Sequence, residues 1–150
     1  MNDLICNVNR VINAPIEKVF DAWLNPQLLS RFMLPMPGMP QPRTEVDARE
    51  GGRFTIYMDV GEEIIPHSGT YLELDRPNRL VFSWESPFST DGSSVSLDFT
   101  MVDSSNTRIE LTHVRFIDEE TRSNHETGWG NILGALSEAC QSNIESGATA

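Results

Sequence analysis

The chain has 150 residues, 39% hydrophobic and 22% charged, which is typical of one soluble globular domain spanning residues 1–150. Its 22 acidic and 11 basic residues give a formal net charge of −11, and Lys18 is the only lysine, so we expect neither nucleic-acid binding nor attraction to an anionic membrane. No apolar run approaches the ~18 residues of a membrane span, and the N-terminus lacks the features of a secretory signal. The expected location is therefore the cytoplasm.

The two cysteines, Cys6 and Cys140, are far apart in the sequence. They fit neither a redox motif of two closely spaced cysteines nor the ligand spacing of a zinc site. Free cysteine commonly behaves as a small core residue. We therefore predict two buried free thiols, and we expect no metal and no cofactor.

The first elements are a strand and two short helices. Residues 4–12 are rich in β-branched side chains and predict a strand. Asn13 is the expected cap of a following helix in which Pro15 is an early residue. Apolar residues then recur at helical spacing before Asn25, namely Ile16, Val19, Phe20, Trp23 and Leu24. A second helical turn is predicted over residues 27–32.

Residues 33–42 are predicted to form a loop with apolar side chains. The segment holds four prolines, one glycine and three methionines, so neither a helix nor a central strand can persist there. Methionines are flexible and apolar. Two interpretations stay open at this point: a flexible apolar flap over an apolar site, or a disordered segment.

Five strand-like segments follow, at residues 52–60, 67–75, 79–86, 95–103 and 107–116. Turn signals separate them at residues 60–62, 76–78, 87–92 and 103–106. The segment 95–101 alternates cleanly and predicts one buried face, formed by Val95, Leu97, Phe99 and Met101. With the first strand, the short connections predict an antiparallel meander of about six strands.

The last element is a long helix that starts near Asp118, which is its expected cap, and runs to about residue 145. At 100° per residue, one face gathers around Trp129 and comprises Arg122, His125, Ile132, Leu133, Leu136, Cys140 and Asn143. Gly128 and Gly130 fall at the two margins of this face, where we expect them to permit close approach of a surrounding surface. Gly134 falls on the outer side and has no such explanation. A twisted antiparallel sheet wrapped around this helix, an α+β fold, accommodates the whole pattern.

Several motifs resemble one family. They are Asn13-Ala14-Pro15 followed by Val19-Phe20-Asp21-Ala22-Trp23, the segment from Asp47 to Phe54, His67-Ser68-Gly69-Thr70-Tyr71, the strand from Pro77 to Trp84, and Gly128-Trp129. In this order they resemble the AHSA-like family, the homologues of the heat-shock chaperone ATPase activator. The resemblance covers residues 5–145 and implies the helix-grip fold of the SRPBCC superfamily, also called START-like or birch-allergen-like.

That resemblance implies a cavity between the sheet and the C-terminal helix, in which relatives hold lipids, polyketides or other apolar molecules. It does not imply one chemistry, because the superfamily includes transport proteins, cyclases, stress-linked binding proteins and co-chaperones. The expected partner is thus a small hydrophobic ligand. For single-domain members a homodimer is a further expectation, although no heptad or exposed apolar stripe establishes it.

The candidate site residues are those that could line such a cavity. Trp129, Trp84 and Phe99 are expected as walls, and His113, His125 and Tyr71 as groups that orient a ligand by hydrogen bonds. The complete predicted set is Trp23, Phe32, Phe54, Tyr71, Trp84, Phe99, His113, His125, Trp129, Leu133 and Leu136. The same residues would also build an ordinary hydrophobic core, and the sequence does not separate the two.

The sequence contains no nucleophile elbow, phosphate loop or metalloprotease motif. Glu73 and Glu85 lie near strand ends, but no catalytic role is assigned to them. The expected function is therefore noncatalytic binding of a small apolar or amphipathic molecule. The alternatives are a cyclase or hydrolase using His125 or His113 as acid or base, and a co-chaperone-like interaction protein.

Overall fold

The computed structural model describes residues 4–36, 38–59, 61, 63–86, 92–116 and 118–149, with side chains up to residue 140. The elements in chain order are β1 (Ile5–Ile12), α1 (Ile16–Ala22), α2 (Pro26–Phe32), β2 (Arg43–Val46), β3 (Arg53–Asp59), β4 (Ile64–Asp75), β5 (Arg79–Ser83), β6 (Ser94–Asp103), β7 (Asn106–Val114) and α3 (Glu119–Thr149).

The strands form one antiparallel sheet of seven strands in the order β1-β7-β6-β5-β4-β3-β2. Strands β2 to β7 are a meander, and β1 completes the sheet by pairing with β7, with Cys6 opposite His113. With α3 packed on the sheet, the architecture is the predicted α+β helix-grip fold. The seventh strand is β2, which the sequence did not indicate because it has only four residues and follows the proline-rich loop.

Strand β6 confirms the predicted alternation for Val95, Leu97 and Phe99, which are buried. Met101 does not follow the prediction, because 59% of it is exposed. It lies at the far end of the strand, where the register with β7 shifts between Met101 and Asp103. The predicted turns at 76–78 and 103–106 join β4 to β5 and β6 to β7. Those at 60–62 and 87–92 lie largely outside the described residues.

The two short helices begin differently. The predicted cap at Asn13 is wrong: Pro15 occupies the capping position of α1, and no side chain makes a capping hydrogen bond there. Helix α2 is capped by Asn25, whose Oδ1 accepts hydrogen bonds from the backbone N–H groups of Gln27 at 3.0 Å and Leu28 at 3.2 Å. Both helices turn apolar side chains, among them Phe20 and Phe32, into the core.

Helix α3 begins as predicted. The Oδ1 atom of Asp118 accepts a hydrogen bond from the backbone N–H of Thr121 at 2.8 Å, which is an N-cap interaction. The buried face comprises Trp129, Ile132, Leu133, Leu136 and Cys140, whereas the side chain of Asn143 lies outside the described part of the chain. Among the described residues, no helix combines the length and the apolar character that a membrane span requires.

The glycines of α3 differ in their surroundings. A Cβ atom added at Gly128 would lie 3.2 Å from Cβ of Pro35, so this glycine permits close approach of the loop after α2. The prediction for Gly130 is wrong, because an added Cβ would meet nothing within 4 Å. At Gly134 it would meet only Nη1 of Arg10, at 3.9 Å. Gly130 and Gly134 border an open depression of about 720 Å³ on the other flank of the helix.

Both cysteines are buried free thiols, as predicted. Burial raises the pKa of Cys6 and of Cys140 to about 11. A thiol is nucleophilic as the thiolate, so neither cysteine is an activated nucleophile at neutral pH.

Candidate functional site

The centre of the space between the sheet and the helices is filled with side chains. A void of about 10 Å³ lies there, lined by Trp23, Leu29, Met33, Phe54, Ile56, Tyr71, Phe82 and Trp84. The rings of Phe54 and Phe82 pack edge to face, with their centroids 5.3 Å apart, and the ring of Tyr71 is tilted against that of Phe54 at the same distance. A void of this size holds at most about one water molecule, so it has no room for a larger guest.

A larger space opens at one end of the same interior, and we call it the cleft. It has a volume of about 570 Å³ and lies between the first half of α3, strands β3 and β4, and the loop after α2. Its walls are mostly apolar, with a few polar side chains. The lining residues are Pro35, Met36, Met58, Ile65, His67, Trp84, Asn124, His125, Thr127, Gly128, Trp129, Asn131 and Ile132.

The loop after α2 is fastened to α3 at the rim of the cleft. Nδ2 of Asn131 donates a hydrogen bond to the carbonyl oxygen of Pro35 at 2.8 Å, next to the close approach of Pro35 to Gly128. Met36 follows, is about half exposed and lines the cleft. Met33, at the start of the loop, is instead buried in the core. The predicted apolar flap thus contributes Pro35 and Met36 to the cleft wall.

Two buried hydrogen bonds connect Trp129, which lines the cleft, to His113 and then to Ser93. Nε1 of Trp129 lies 3.0 Å from Nδ1 of His113, and Nε2 of His113 lies 2.8 Å from Oγ of Ser93. An indole N–H can only donate, so Nδ1 of His113 accepts and Nε2 carries the proton that is donated to Ser93. Burial lowers the pKa of His113 to about 3, with a smaller contribution from nearby His125. His113 is therefore a neutral side chain with both ring nitrogens engaged.

Two other histidines line the cleft, one on each wall. His125 lies on α3, and its Nδ1 is 2.9 Å from the carbonyl oxygen of Thr121. His67 lies on β4, and its Nδ1 is 3.2 Å from the carbonyl oxygen of Ile65. Burial is the main reason why the pKa of each is lowered, and the proximity of His125 lowers the pKa of His67 further. At neutral pH both side chains are uncharged.

Two indole nitrogens near the site have no hydrogen-bond partner among the described residues. They are Nε1 of Trp23 and Nε1 of Trp84, and both atoms are buried. Both residues line the small central void, and Trp84 also lines the cleft. An unpaired buried donor costs free energy, so the indole groups of Trp23 and Trp84 carry a desolvation cost that the hydrogen bond of Trp129 offsets.

The structure divides the predicted site residues into three groups. Trp84, His125 and Trp129 come together in the cleft. Trp23, Phe54 and Tyr71 surround the small central void, with Trp84 between the two spaces. The others are buried in the core outside the cleft lining, namely Phe32, Phe99, His113, Leu133 and Leu136.

Contacts in the core account for the positions of this third group. The ring of Phe99 lies 5.1 Å from that of Phe20, and the ring of Phe32 lies 4.9 Å from that of Trp23. Leu133 and Leu136 on α3 are fully buried. These side chains form part of the core between the helices and the sheet, and none of them lines the cleft.

The sequence did not indicate that Met36, Met58 and His67 meet in this cleft. For His67 a signal was present, because the buried face of β4 includes Ile65, His67 and Tyr71 at a period of two. Tyr71 was expected to face the interior, and the same periodicity places His67 on that face.

The two carboxylates near strand ends are ion-paired outside the cleft. Glu85 pairs with Arg53, with Nη2 3.0 Å from Oε1, and Glu73 pairs with Arg79 at 3.3 Å. The hydrogen bond from Arg53 is the main reason why the pKa of Glu85 is lowered. A general acid needs a raised pKa, so this environment does not suit Glu85 to that role. Within the part of the chain that the structure describes, no cluster of three or more histidine, cysteine or acidic side chains could hold a metal ion.

The fold defines the class of protein, which is the helix-grip class: an antiparallel sheet packs against a long C-terminal helix, and a mostly apolar cleft lies at one end of the interface between them. The chain belongs to the family described as Activator of Hsp90 ATPase homolog 1-like protein, whose model matches residues 13–141. A search of curated proteins found no match.

Solved structures agree with this assignment at the level of the fold. A protein from Nitrosomonas europaea is 21% identical, with a TM-score of 0.75 and coverage of 95% of this chain and 97% of that chain. An AHSA1-like protein from Aeromonas hydrophila is 23% identical, with a TM-score of 0.74 and coverage of 91% and 93%. An HSP90 activator from Plasmodium falciparum is 21% identical, with a TM-score of 0.70 and coverage of 89% and 93%.

Proposed function

We propose that the protein binds a small apolar or amphipathic molecule in the cleft and does not transform it chemically. The observation that carries this proposal is the cleft itself, whose volume of about 570 Å³ falls within the range of roughly 300–1,000 Å³ typical of small-molecule sites. Met58, Ile65 and Ile132 offer apolar contact, and Trp84 and Trp129 offer aromatic faces. A few polar groups among such walls are the usual means of orienting a ligand.

The noncatalytic part of the proposal rests on the state of the nucleophilic and basic groups. His113 has both ring nitrogens engaged, and burial raises the pKa of the thiols of Cys6 and Cys140. Among the described residues, no serine or cysteine side chain lines the cleft beside His67 or His125. Thr127 is the hydroxyl side chain of the described lining, and among the described residues no hydrogen bond joins it to His67 or His125, so a nucleophile paired with an activating base is missing from the described walls.

The test measures ligand binding with the cleft open and with it blocked. Native mass spectrometry of the purified protein looks for copurified mass, and thermal shift assays screen a panel of lipophilic compounds. Thr127→Trp places a large ring in the cleft from an exposed position of α3. Glu120→Trp is the matched control, because it adds the same ring on the same helix two turns away and outside the cleft.

Binding to the wild-type protein and to Glu120→Trp, with loss in Thr127→Trp, supports the proposal. Equal binding by both variants would place the ligand elsewhere on the molecule. If no copurified mass and no thermal shift occur across a chemically diverse panel, the proposed binding function fails.

A co-chaperone role is a second candidate, because the structurally similar Plasmodium falciparum protein is described as an HSP90 activator. The measurement is the ATPase rate of an Hsp90-type chaperone with and without this protein, together with a pull-down of the pair. Stimulation that survives Thr127→Trp would favour this role over ligand binding. An unchanged ATPase rate and no capture would remove it.

A catalytic role is a third candidate and rests on His125, which lines the cleft with Nε2 as a basic nitrogen. It requires that His125→Ala abolish turnover of a cleft-bound substrate while circular dichroism shows an unchanged fold. Turnover that persists in this variant would exclude His125 as the acid or base.

A further inference from the structure

The cleft contains two histidines whose ring orientation is fixed by the backbone. A carbonyl oxygen can only accept a hydrogen bond, so Nδ1 of His125 must donate to Thr121, and Nδ1 of His67 must donate to Ile65. In the neutral imidazole the other nitrogen then carries a lone pair. Nε2 of each ring is therefore a hydrogen-bond acceptor.

Neither acceptor receives a hydrogen bond from another described residue. His67 is only 8% exposed and His125 is part-buried, and both residues line the mostly apolar cleft. A ligand that donates to such an acceptor in an apolar wall gains a hydrogen bond. The two histidines thus favour a guest that carries an O–H or N–H group.

The uncharged lining of the cleft disfavours an anionic ligand. Among the described residues, its polar lining consists of uncharged amide, hydroxyl and imidazole groups, with no lysine, arginine, aspartate or glutamate. Nδ2 of Asn131 is already engaged with Pro35. The whole chain carries a formal charge of −11, which disfavours the approach of an anion. Burying a carboxylate here would leave its charge unpaired.

We propose that His67 and His125 act as hydrogen-bond acceptors that select an uncharged amphipathic ligand with a hydroxyl group, such as an alcohol or a phenol, over the corresponding carboxylate or ether. This inference rests on the proposed function, since it names the ligand class of the same cleft. Among the described residues, the titratable groups that line the cleft or contact its histidines are His67, His125 and His113, whose ring centroid lies 5.2 Å from that of His125. At pH 7.5 all three are neutral and the acceptor role holds.

The experiment measures binding by calorimetry at pH 7.5 with two sets of matched probes. One set is naphthol, its methyl ether and naphthoate, and the other is decanol, its methyl ether and decanoate. We expect the hydroxyl compound to bind roughly threefold to tenfold more tightly than its ether, which corresponds to the one net hydrogen bond that a single hydroxyl group can donate. The carboxylates are expected to bind most weakly.

Two variants assign the preference to the histidines. His125→Phe and His67→Phe each remove one acceptor and keep an aromatic ring, so we expect each to reduce the preference for the hydroxyl compound over its ether. The double variant removes both acceptors and is expected to bind the two compounds about equally. His125→Gln keeps an acceptor oxygen and is expected to restore part of the preference. Circular dichroism and thermal melting establish that each variant is folded.

The outcomes separate this inference from the function on which it rests. If the hydroxyl compounds and ethers bind the wild-type protein equally, the cleft binds ligands but the selection by histidine is wrong. Tighter binding of the carboxylates at pH 7.5 would also overturn it, because the histidines would then be acting as cations. If none of the six probes binds, both the inference and the proposed function fail.

Discussion

Replacing Trp129 by phenylalanine should destabilise the protein more than the same replacement at Trp23. Both side chains are 2% exposed, so each change removes a similar amount of buried indole surface. The two sites differ in hydrogen bonding. Nε1 of Trp129 donates to Nδ1 of His113 at 3.0 Å, whereas Nε1 of Trp23 has no partner among the described residues.

The size of the difference follows from the group that is left behind. Trp129→Phe leaves the buried acceptor of His113 without its donor, which costs about 1–3 kcal/mol. Trp23→Phe leaves no such group, because the donor that it removes was already unpaired. For a domain of this length, 1 kcal/mol corresponds to roughly 2–4 °C in the melting temperature. Trp129→Phe should therefore melt roughly 2–12 °C below Trp23→Phe.

The assay is urea unfolding followed by far-ultraviolet circular dichroism, a signal dominated by the backbone, with calorimetry for the melting temperatures. Equal m-values in the two variants would establish that the change lies in stability and not in the extent of unfolding. A double-mutant cycle of Trp129→Phe with His113→Phe isolates the pair, and we expect a coupling of about 1 kcal/mol or more. Equal destabilisation by the two tryptophan variants, or a coupling near zero, would refute the reasoning.

Three further predictions concern pH, helix glycines and helix caps. The folded-state pKa of His113, about 3, lies below its ordinary value of 6.5, so the unfolded state binds more protons between these values. His113 alone should therefore lower the free energy of unfolding by roughly 2 kcal/mol from pH 7 to pH 5, and His67 and His125, whose pKa values are also lowered, should add to that fall; the pH slope should flatten in His113→Gln, measured by urea unfolding. Gly130→Ala should raise the melting temperature by roughly 2–4 °C, because the added methyl group meets open space and alanine favours the helix by about 1 kcal/mol. Gly128→Ala should melt below Gly130→Ala, since the added Cβ would lie 3.2 Å from Cβ of Pro35, which must move. In chemical denaturation, Asp118→Ala should cost about 1 kcal/mol through the lost cap, whereas Asn13→Ala should leave the stability almost unchanged.

The parts of the fold that local periodicity determines could be predicted from the sequence. The alternation of Val95, Leu97 and Phe99 and the helical stripe around Trp129 both correspond to observed buried faces. Met101 continues the alternation but lies beyond the core, because periodicity indicates which face a side chain lies on and not where the neighbouring layer ends. Strand β2 was missed because four residues are too few for a periodic signal.

The cleft could be predicted only in part, because its volume depends on how side chains from separate elements fill the interior. Phe54 and Tyr71 were reasonable wall candidates, yet they surround a void of only about 10 Å³. The open space lies where Met58 on β3 and Ile132 on α3 leave a gap at the end of the sheet. No local pattern encodes that gap, since it arises from packing between residues far apart in the chain.

Two of the three tryptophans of the chain line the cleft, and the ring centroids of Trp84 and Trp129 are 5.1 Å apart. A guest that enters would change the polarity and quenching around both rings at once, while Trp23 would contribute a steady background from the core. The intrinsic fluorescence of the protein should therefore report occupancy directly, without a dye or an attached label. Unknown ligands could be sought in cell extracts by following the emission maximum of the unmodified chain.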